Sequence, residues 1–139
     1  MQTFLPYPDF RQSAHCLDTK RLGKQRVETL QILNALHGKT DGWVNHPATK
    51  MWRGYEQALV EYGIVFCDTW IALGYKDTCK DKIAVYRRGH VVYPSWLGGY
   101  IHRTHKAALL HKKYDFYAQY DWDKYPNYVP VEENYYWPI

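Results

Sequence analysis

Between Leu17 and Glu28 the chain reads LDTKRLGKQRVE. From Thr19 to Glu28 it carries four cations (Lys20, Arg21, Lys24, Arg26), one amide (Gln25) and one carboxylate (Glu28). A carboxylate set among cations is favoured in its charged form, so it can stabilise a developing positive charge or move a proton. The lysines and arginines suit phosphate oxygens, arginine in bidentate fashion. Gln25 can hydrogen-bond a base or a sugar. The plainer alternative is a solvated helix face, with Lys24 and Glu28 as an ordinary i,i+4 ion pair.

Three further groupings bear on chemistry. In GWVNHPATKMWRG (42–54), Asn45 or His46 starts a helix and Pro47 fits its first turn. Free N–H groups there would hold a phosphate, with His46 adding a donor and Lys50 and Arg53 lying a turn further on. The alternative is that Asn45 only caps and His46 is a surface residue. His102 and His105 share a helix face at i,i+3, with His111 following, and so admit a metal. There is no HExxH and no carboxylate at metal-site spacing, so core or phosphate-contacting histidines are the competing reading. The aromatic end from Tyr114 to Trp137 either stacks on exposed bases or covers the core. P-loop, GxGxxG and GxSxG patterns are absent.

The elements that must position these residues follow from spacing. Residues 1–8, MQTFLPYP, read as an extended arm laid on the body. Asp9 caps a short helical turn through Ala14. Asp18 caps a long helix over about 19–37, ended by Gly38, with Leu22, Val27, Leu30, Leu33 and Leu36 as its apolar positions. The helix opened by Pro47 is expected to run to Leu73. Its Trp52, Tyr55, Leu59, Tyr62, Phe66 and Trp70 recur at steps of three and four, which makes it the central core helix, and Gly54 and Gly63 mark a kink or a close contact. Residues 75–93 are basic and poorly periodic, with Ile83–Tyr86 and Val91–Tyr93 as brief extended pieces. A last helix covers 100–112 and reaches toward Tyr120. The end is Pro-punctuated and irregular. Together these predict an all-α fold: one compact helical bundle over 1–139, with an extended N-terminal arm and an irregular aromatic C-terminal tail.

The 139 residues carry a net charge of +4, unevenly spread. Residues 1–120 hold 17 Lys+Arg against 10 Asp+Glu, and the remainder is net acidic. A basic body permits nucleic-acid binding without specifying it. The 14 Tyr and 6 Trp are more rings than a core of this size needs. Three cysteines (Cys16, Cys67, Cys79) without CxxC spacing argue against a disulfide framework or structural zinc, and for reduced thiols in a cytoplasmic protein. No signal peptide and no 18-residue apolar run is present.

In order and spacing, the chain resembles the pyrimidine-dimer DNA glycosylase family, typified by the small endonuclease V of T-even phages. The resemblance rests on the Gly23-x-x-Arg26 helix with an acid close behind, the GWVNHPATKMWRG segment, and ALVEYGIVFCDTWIALGY ending in Gly-aromatic. It covers residues 1–75, and the remainder loosely. It implies a compact helical monomer that acts on double-stranded DNA containing a damaged base, with no cofactor or metal. It implies that an N-terminal amine attacks the sugar C1′ and forms an imine, that a nearby glutamate stabilises the cation, and that arginines of the same helix grip phosphates. The flipped nucleotide requires kinked DNA. Carried onto this chain, Met1 supplies the amine and Glu28 the carboxylate. Arg21, Lys24, Gln25 and Arg26 become the DNA-facing group, and Lys20, Asn45, His46, Lys50 and Arg53 join them as DNA-binding candidates from their own spacing. Two features depart from the family. Gln2 follows the initiator methionine where the phage enzyme exposes a small residue. Val27 also separates Arg26 from Glu28, turning the acid about 100° around the helix. Two other functions fit the residues: a non-catalytic nucleic-acid-binding protein, and a metal-dependent hydrolase built on His102 and His105.

Overall fold

The computed structural model describes residues 1–124 and 136–139. Among these, every regular element is helical. Helix α1 (Phe10–Cys16) starts where Asp9 accepts the Gln12 N–H at 2.8 Å. Helix α2 (Thr19–Leu36) follows after two residues and stops just before Gly38. Asp18 precedes it as expected but makes no cap bond to the helix backbone. Its carboxylate instead takes the Tyr117 hydroxyl and, at 3.2 Å, the Arg21 guanidinium. Burial alone would raise the Asp18 pKa; Tyr117 and Arg21 outweigh it and hold it below the usual range.

The helix expected over 47–73 is two helices. Helix α3 (Pro47–Lys50) is one turn, and α4 (Glu56–Ala72) begins after a break. The break sits at Gly54, whose φ of 88° ends the first turn and redirects the chain. Glu56 accepts the freed Gly54 N–H at 3.0 Å. Across the break Trp52, Leu59, Tyr62 and Phe66 are all fully buried, so the core stripe survives the interruption.

Helix α5 (Lys80–Ala84) replaces the extended piece expected around Ile83. Asp77 accepts the Lys80 N–H at 2.8 Å and starts the turn. Residues 91–93 have no regular structure. Helix α6 (Ile101–Lys112), α7 (Tyr114–Tyr117) and two 3₁₀ turns (Ala118–Tyr120, Trp122–Lys124) complete the order. Tyr117 and Trp122 are buried and stacked, so this part of the aromatic end covers the core. The rest of that end, 125–135, lies outside the described residues.

The main packing is α2 along α4, with α5 wedged beside both. Gly63 permits the approach: a Cβ there would stand 2.7 Å from Thr29 Cγ2 and 3.0 Å from Ile83 Cδ1. Both neighbours are branched side chains in a filled interior. Gly63→Ala is therefore expected to lower unfolding stability by about 1–3 kcal/mol, read from the denaturant midpoint. An unchanged midpoint would show that the helices can separate without cost.

Candidate active site

The N-terminal arm is the first element of the site. Gln2, Thr3, Phe4 and Leu5 are buried, and each backbone N–H has a side-chain acceptor. Gln2 N–H donates to Glu28 Oε2 at 3.2 Å and Thr3 N–H to Gln2 Oε1 at 2.9 Å. Phe4 N–H donates to Gln25 Oε1 at 2.8 Å and Leu5 N–H to His105 Nδ1 at 2.9 Å. Trp52 Nε1–H donates to Thr3 Oγ1 at 3.0 Å, and His102 Nδ1–H to the Leu5 carbonyl at 2.7 Å. An extended segment without sheet partners must satisfy its polar groups this way when buried. The result is a start of the chain held from α2, α4 and α6 at once.

Glu28 is buried on the α2 face that meets this arm. Besides the Gln2 N–H, it faces Gln25 Nε2 at 3.4 Å and Lys24 Nζ at 3.7 Å. The carboxylate thus stands beside the first peptide group of the chain. Gln25 is itself fixed, because the Tyr62 hydroxyl lies 3.1 Å from its Oε1 and 2.9 Å from the Phe4 carbonyl. Burial, then the nearby Glu28 charge, pushes the Tyr62 pKa well up, so this hydroxyl stays a donor. The Gln2 side-chain Nε2 is buried with no hydrogen-bond partner among the described residues. That leaves both N–H donors of this buried amide open.

His46 stands in the loop before α3. Partial burial, then the positive charge of the Met1 amine, lowers its pKa, so the ring is neutral near pH 7. Its Nδ1 accepts the Ala48 N–H at 3.0 Å, which puts the proton of the neutral ring on Nε2. The expected phosphate-binding helix start is therefore different in kind. Helix α3 is a single turn with a small dipole, and His46 already occupies a free N–H.

The structure thus brings Glu28, Gln25 and Lys24 to the start of the chain, with His46 within electrostatic reach of the Met1 amine. Lys20 is exposed on α2 one turn from Lys24, and Lys50 is exposed in α3. Asn45 is exposed in the loop, and exposed Arg53 places Nη2 3.5 Å from the Val44 carbonyl. Arg21 is half-buried on Asp18. Arg26 is elsewhere: it is buried, ion-paired with Asp77, and lies 4.4 Å over the Trp70 ring. Burial would raise the Asp77 pKa, but the Lys80 N–H and Arg26 outweigh it and lower it. That pair joins α2 to the α4–α5 connection.

His102 and His105 are buried core groups that clamp Leu5. Among the described residues no group of three His, Cys, Asp or Glu is placed to hold a metal. The three cysteines are free and buried. No helix among the described residues is long and apolar enough to cross a membrane. Periodicity gave no sign of the part played by Thr3, Trp52 and Tyr62. Trp52 and Tyr62 read from spacing as plain core, and only their polar tips, which need partners when buried, mark them as more.

A family profile described as pyrimidine dimer DNA glycosylase matches residues 1–83. No curated protein and no solved structure matches. The matched span contains the arm, α2, α3, α4 and α5 apart from its last residue, and with them Met1, Gln25, Glu28, His46 and Tyr62. The clamp histidines of α6 lie beyond it. The chain belongs to the pyrimidine dimer DNA glycosylase family, whose members act in DNA repair.

Proposed function

We propose that the protein releases pyrimidine-dimer bases from duplex DNA through the Met1 amine, and then cleaves the strand as an AP lyase. The observation that carries this is the buried Glu28 carboxylate accepting the Gln2 N–H at 3.2 Å, one residue from the amine. In its neutral form an α-amino group is a nucleophile toward a sugar carbon, and here it sits at the free end of the buried arm. The amine nitrogen bonds to C1′ as the C1′–N bond to the base breaks. The departing base takes that electron pair and a proton. The nitrogen lone pair then opens the sugar ring, O4′ leaves with a proton, and a protonated imine remains on Met1. Loss of a C2′ proton expels the 3′ phosphate, and water finally frees the amine.

Glu28 faces the cation formed in these steps, which is where a carboxylate contributes most. The arm's hydrogen bonds hold the nitrogen in place, so little orientational freedom is lost on the way to reaction. Exposed Lys20, Lys24, Lys50, Arg53 and Asn45 supply phosphate contacts, with Arg21 beside them. Gln25 and Arg26 act from the interior, positioning the arm and α2.

Borohydride tests this reading by reducing the imine to a stable amine. Duplex DNA with a single cyclobutane dimer, treated with protein and borohydride, is expected to give a covalent protein–DNA product and free strand breaks without it. Tight binding with neither adduct nor base release would replace the enzyme with a DNA-binding protein. Activity lost to a chelator and restored by metal would instead point to hydrolysis.

A further inference from the structure

Tyr62 lies in the middle of α4, inside the aromatic core. Its ring stacks on Phe66 at 4.1 Å between centroids and meets Phe10 edge-on at 5.5 Å. Phenylalanine would fill that space equally well, so packing does not call for the hydroxyl. The hydroxyl instead reaches the arm and α2 together. Its one proton is shared between the Phe4 carbonyl at 2.9 Å and Gln25 Oε1 at 3.1 Å. Gln25 Oε1 also accepts the Phe4 N–H at 2.8 Å, so turning this amide over would set its N–H groups against two donors. Gln25 Nε2 therefore faces Glu28 Oε2, which takes the Gln2 N–H as well. The short run of chain from Gln2 to Phe4 closes these contacts into a ring, in which Tyr62 is the member from outside the arm and α2. The two oxygens of Glu28 are thereby told apart. Oε2 is occupied by donors from the interior, and Oε1 is turned to the exposed Lys24 amine at 3.7 Å.

We propose that Tyr62 is a positioning residue for the reaction: its hydroxyl sets the register between the arm that carries the amine and the carboxylate that faces the cation. This rests on the glycosylase reading above. Register matters because a fixed charge stabilises a developing one best when it is already in place. Neither the arm nor Gln25 shifts without giving up a hydrogen bond to Tyr62, and inside the core such a loss is costly. Tyr62 touches none of the reacting atoms; Glu28 Oε1 is the oxygen that meets them.

Tyr62→Phe keeps the ring and removes only the hydroxyl, and a double-mutant cycle with Glu28→Gln tests its role. Single-turnover base release from a duplex carrying one cyclobutane dimer is expected to slow about 10-fold in Tyr62→Phe, with Kd for the same duplex within about threefold of the parent. In the Glu28→Gln background the same substitution should change the rate less than about twofold, because no charge remains to be placed. A thermal melt checks that each protein is folded at the assay temperature. Should Tyr62→Phe fail that check, Gln25→Met, which breaks the ring at its next member, takes its place. Its rate loss is expected to be at least about fivefold larger with Glu28 intact than with Glu28→Gln. The parent rate in Tyr62→Phe, or an equal loss in both backgrounds, would overturn the role and leave the hydroxyl to folding alone. A parent protein that releases no base from this duplex would overturn the glycosylase reading, and the role of Tyr62 with it, before any variant is compared.

Discussion

Glu28→Gln is expected to slow base release from dimer DNA by about 10²–10⁴-fold while the dissociation constant for the same duplex changes less than about threefold. Gln keeps the size of the side chain and an oxygen that can still accept the Gln2 N–H, so the arm stays seated. What is lost is the negative charge facing the cation on the amine. Lys24 is exposed and loses a partner 3.7 Å away, a contact worth little at the surface. The split between rate and affinity separates this role from a structural one. Single-turnover base release together with a binding titration at fixed salt reads both quantities. Turnover at the parent rate in Glu28→Gln would remove Glu28 from the chemistry.

The second large effect concerns acid. Burial, then the neighbouring His102, lowers the His105 pKa from about 6.5 to about 3. The fold therefore requires neutral His105, whereas the unfolded chain takes up a proton below about 6.5. The unfolded state binds more protons throughout that window, so stability is full above pH 6.5 and falls as pH drops toward 3. The shift corresponds to a loss on the order of 4 kcal/mol. His102 is lowered too, by burial first, and adds to the loss with the same sign. Protonation also turns His105 Nδ1 from acceptor to donor and breaks its bond to the Leu5 N–H, so acid releases the arm that carries the amine. His105→Leu leaves that N–H unsatisfied and is expected to cost about 1–3 kcal/mol at pH 8. The gap to the parent should narrow or reverse by pH 4. Denaturant titrations of both proteins across this range check it, and parallel curves would show that His105 is not the acid-sensitive group.

Much of the scaffold was legible in the residues themselves. Asp9 and Gln12 announced α1 through a true cap, which is local chemistry, and Asp18 and Gly38 bracketed α2, although Asp18 directs its carboxylate to Tyr117 and Arg21. The break after α3 was less so. Gly54 signalled a weakness, but the apolar stripe runs on through it, and only the left-handed turn shows that the helix stops. Helix α5 was hidden for a similar reason: Asp77 and Ile83 act through contacts with α2 and α4 rather than through any repeat of their own. The site shows the same division. Periodicity put Glu28 and Gln25 on a polar stripe, and such a stripe reads as solvent-facing. The buried arm, 21 to 26 residues earlier in the chain, is what makes that stripe an interior surface. Arg26 turned inward for the same kind of reason, since its partner Asp77 lies 51 residues on.

The central claim is that the Met1 nitrogen is the nucleophile, and mapping the borohydride-trapped product tests it most directly. The adduct formed on dimer-containing duplex would be digested with nuclease and protease, and the modified peptide sequenced by mass spectrometry. The sugar remnant is expected on the α-nitrogen of the peptide beginning Met1-Gln2-Thr3. A remnant on Lys24, whose amine lies on the other side of Glu28, or base release with no trapped product, would contradict the account.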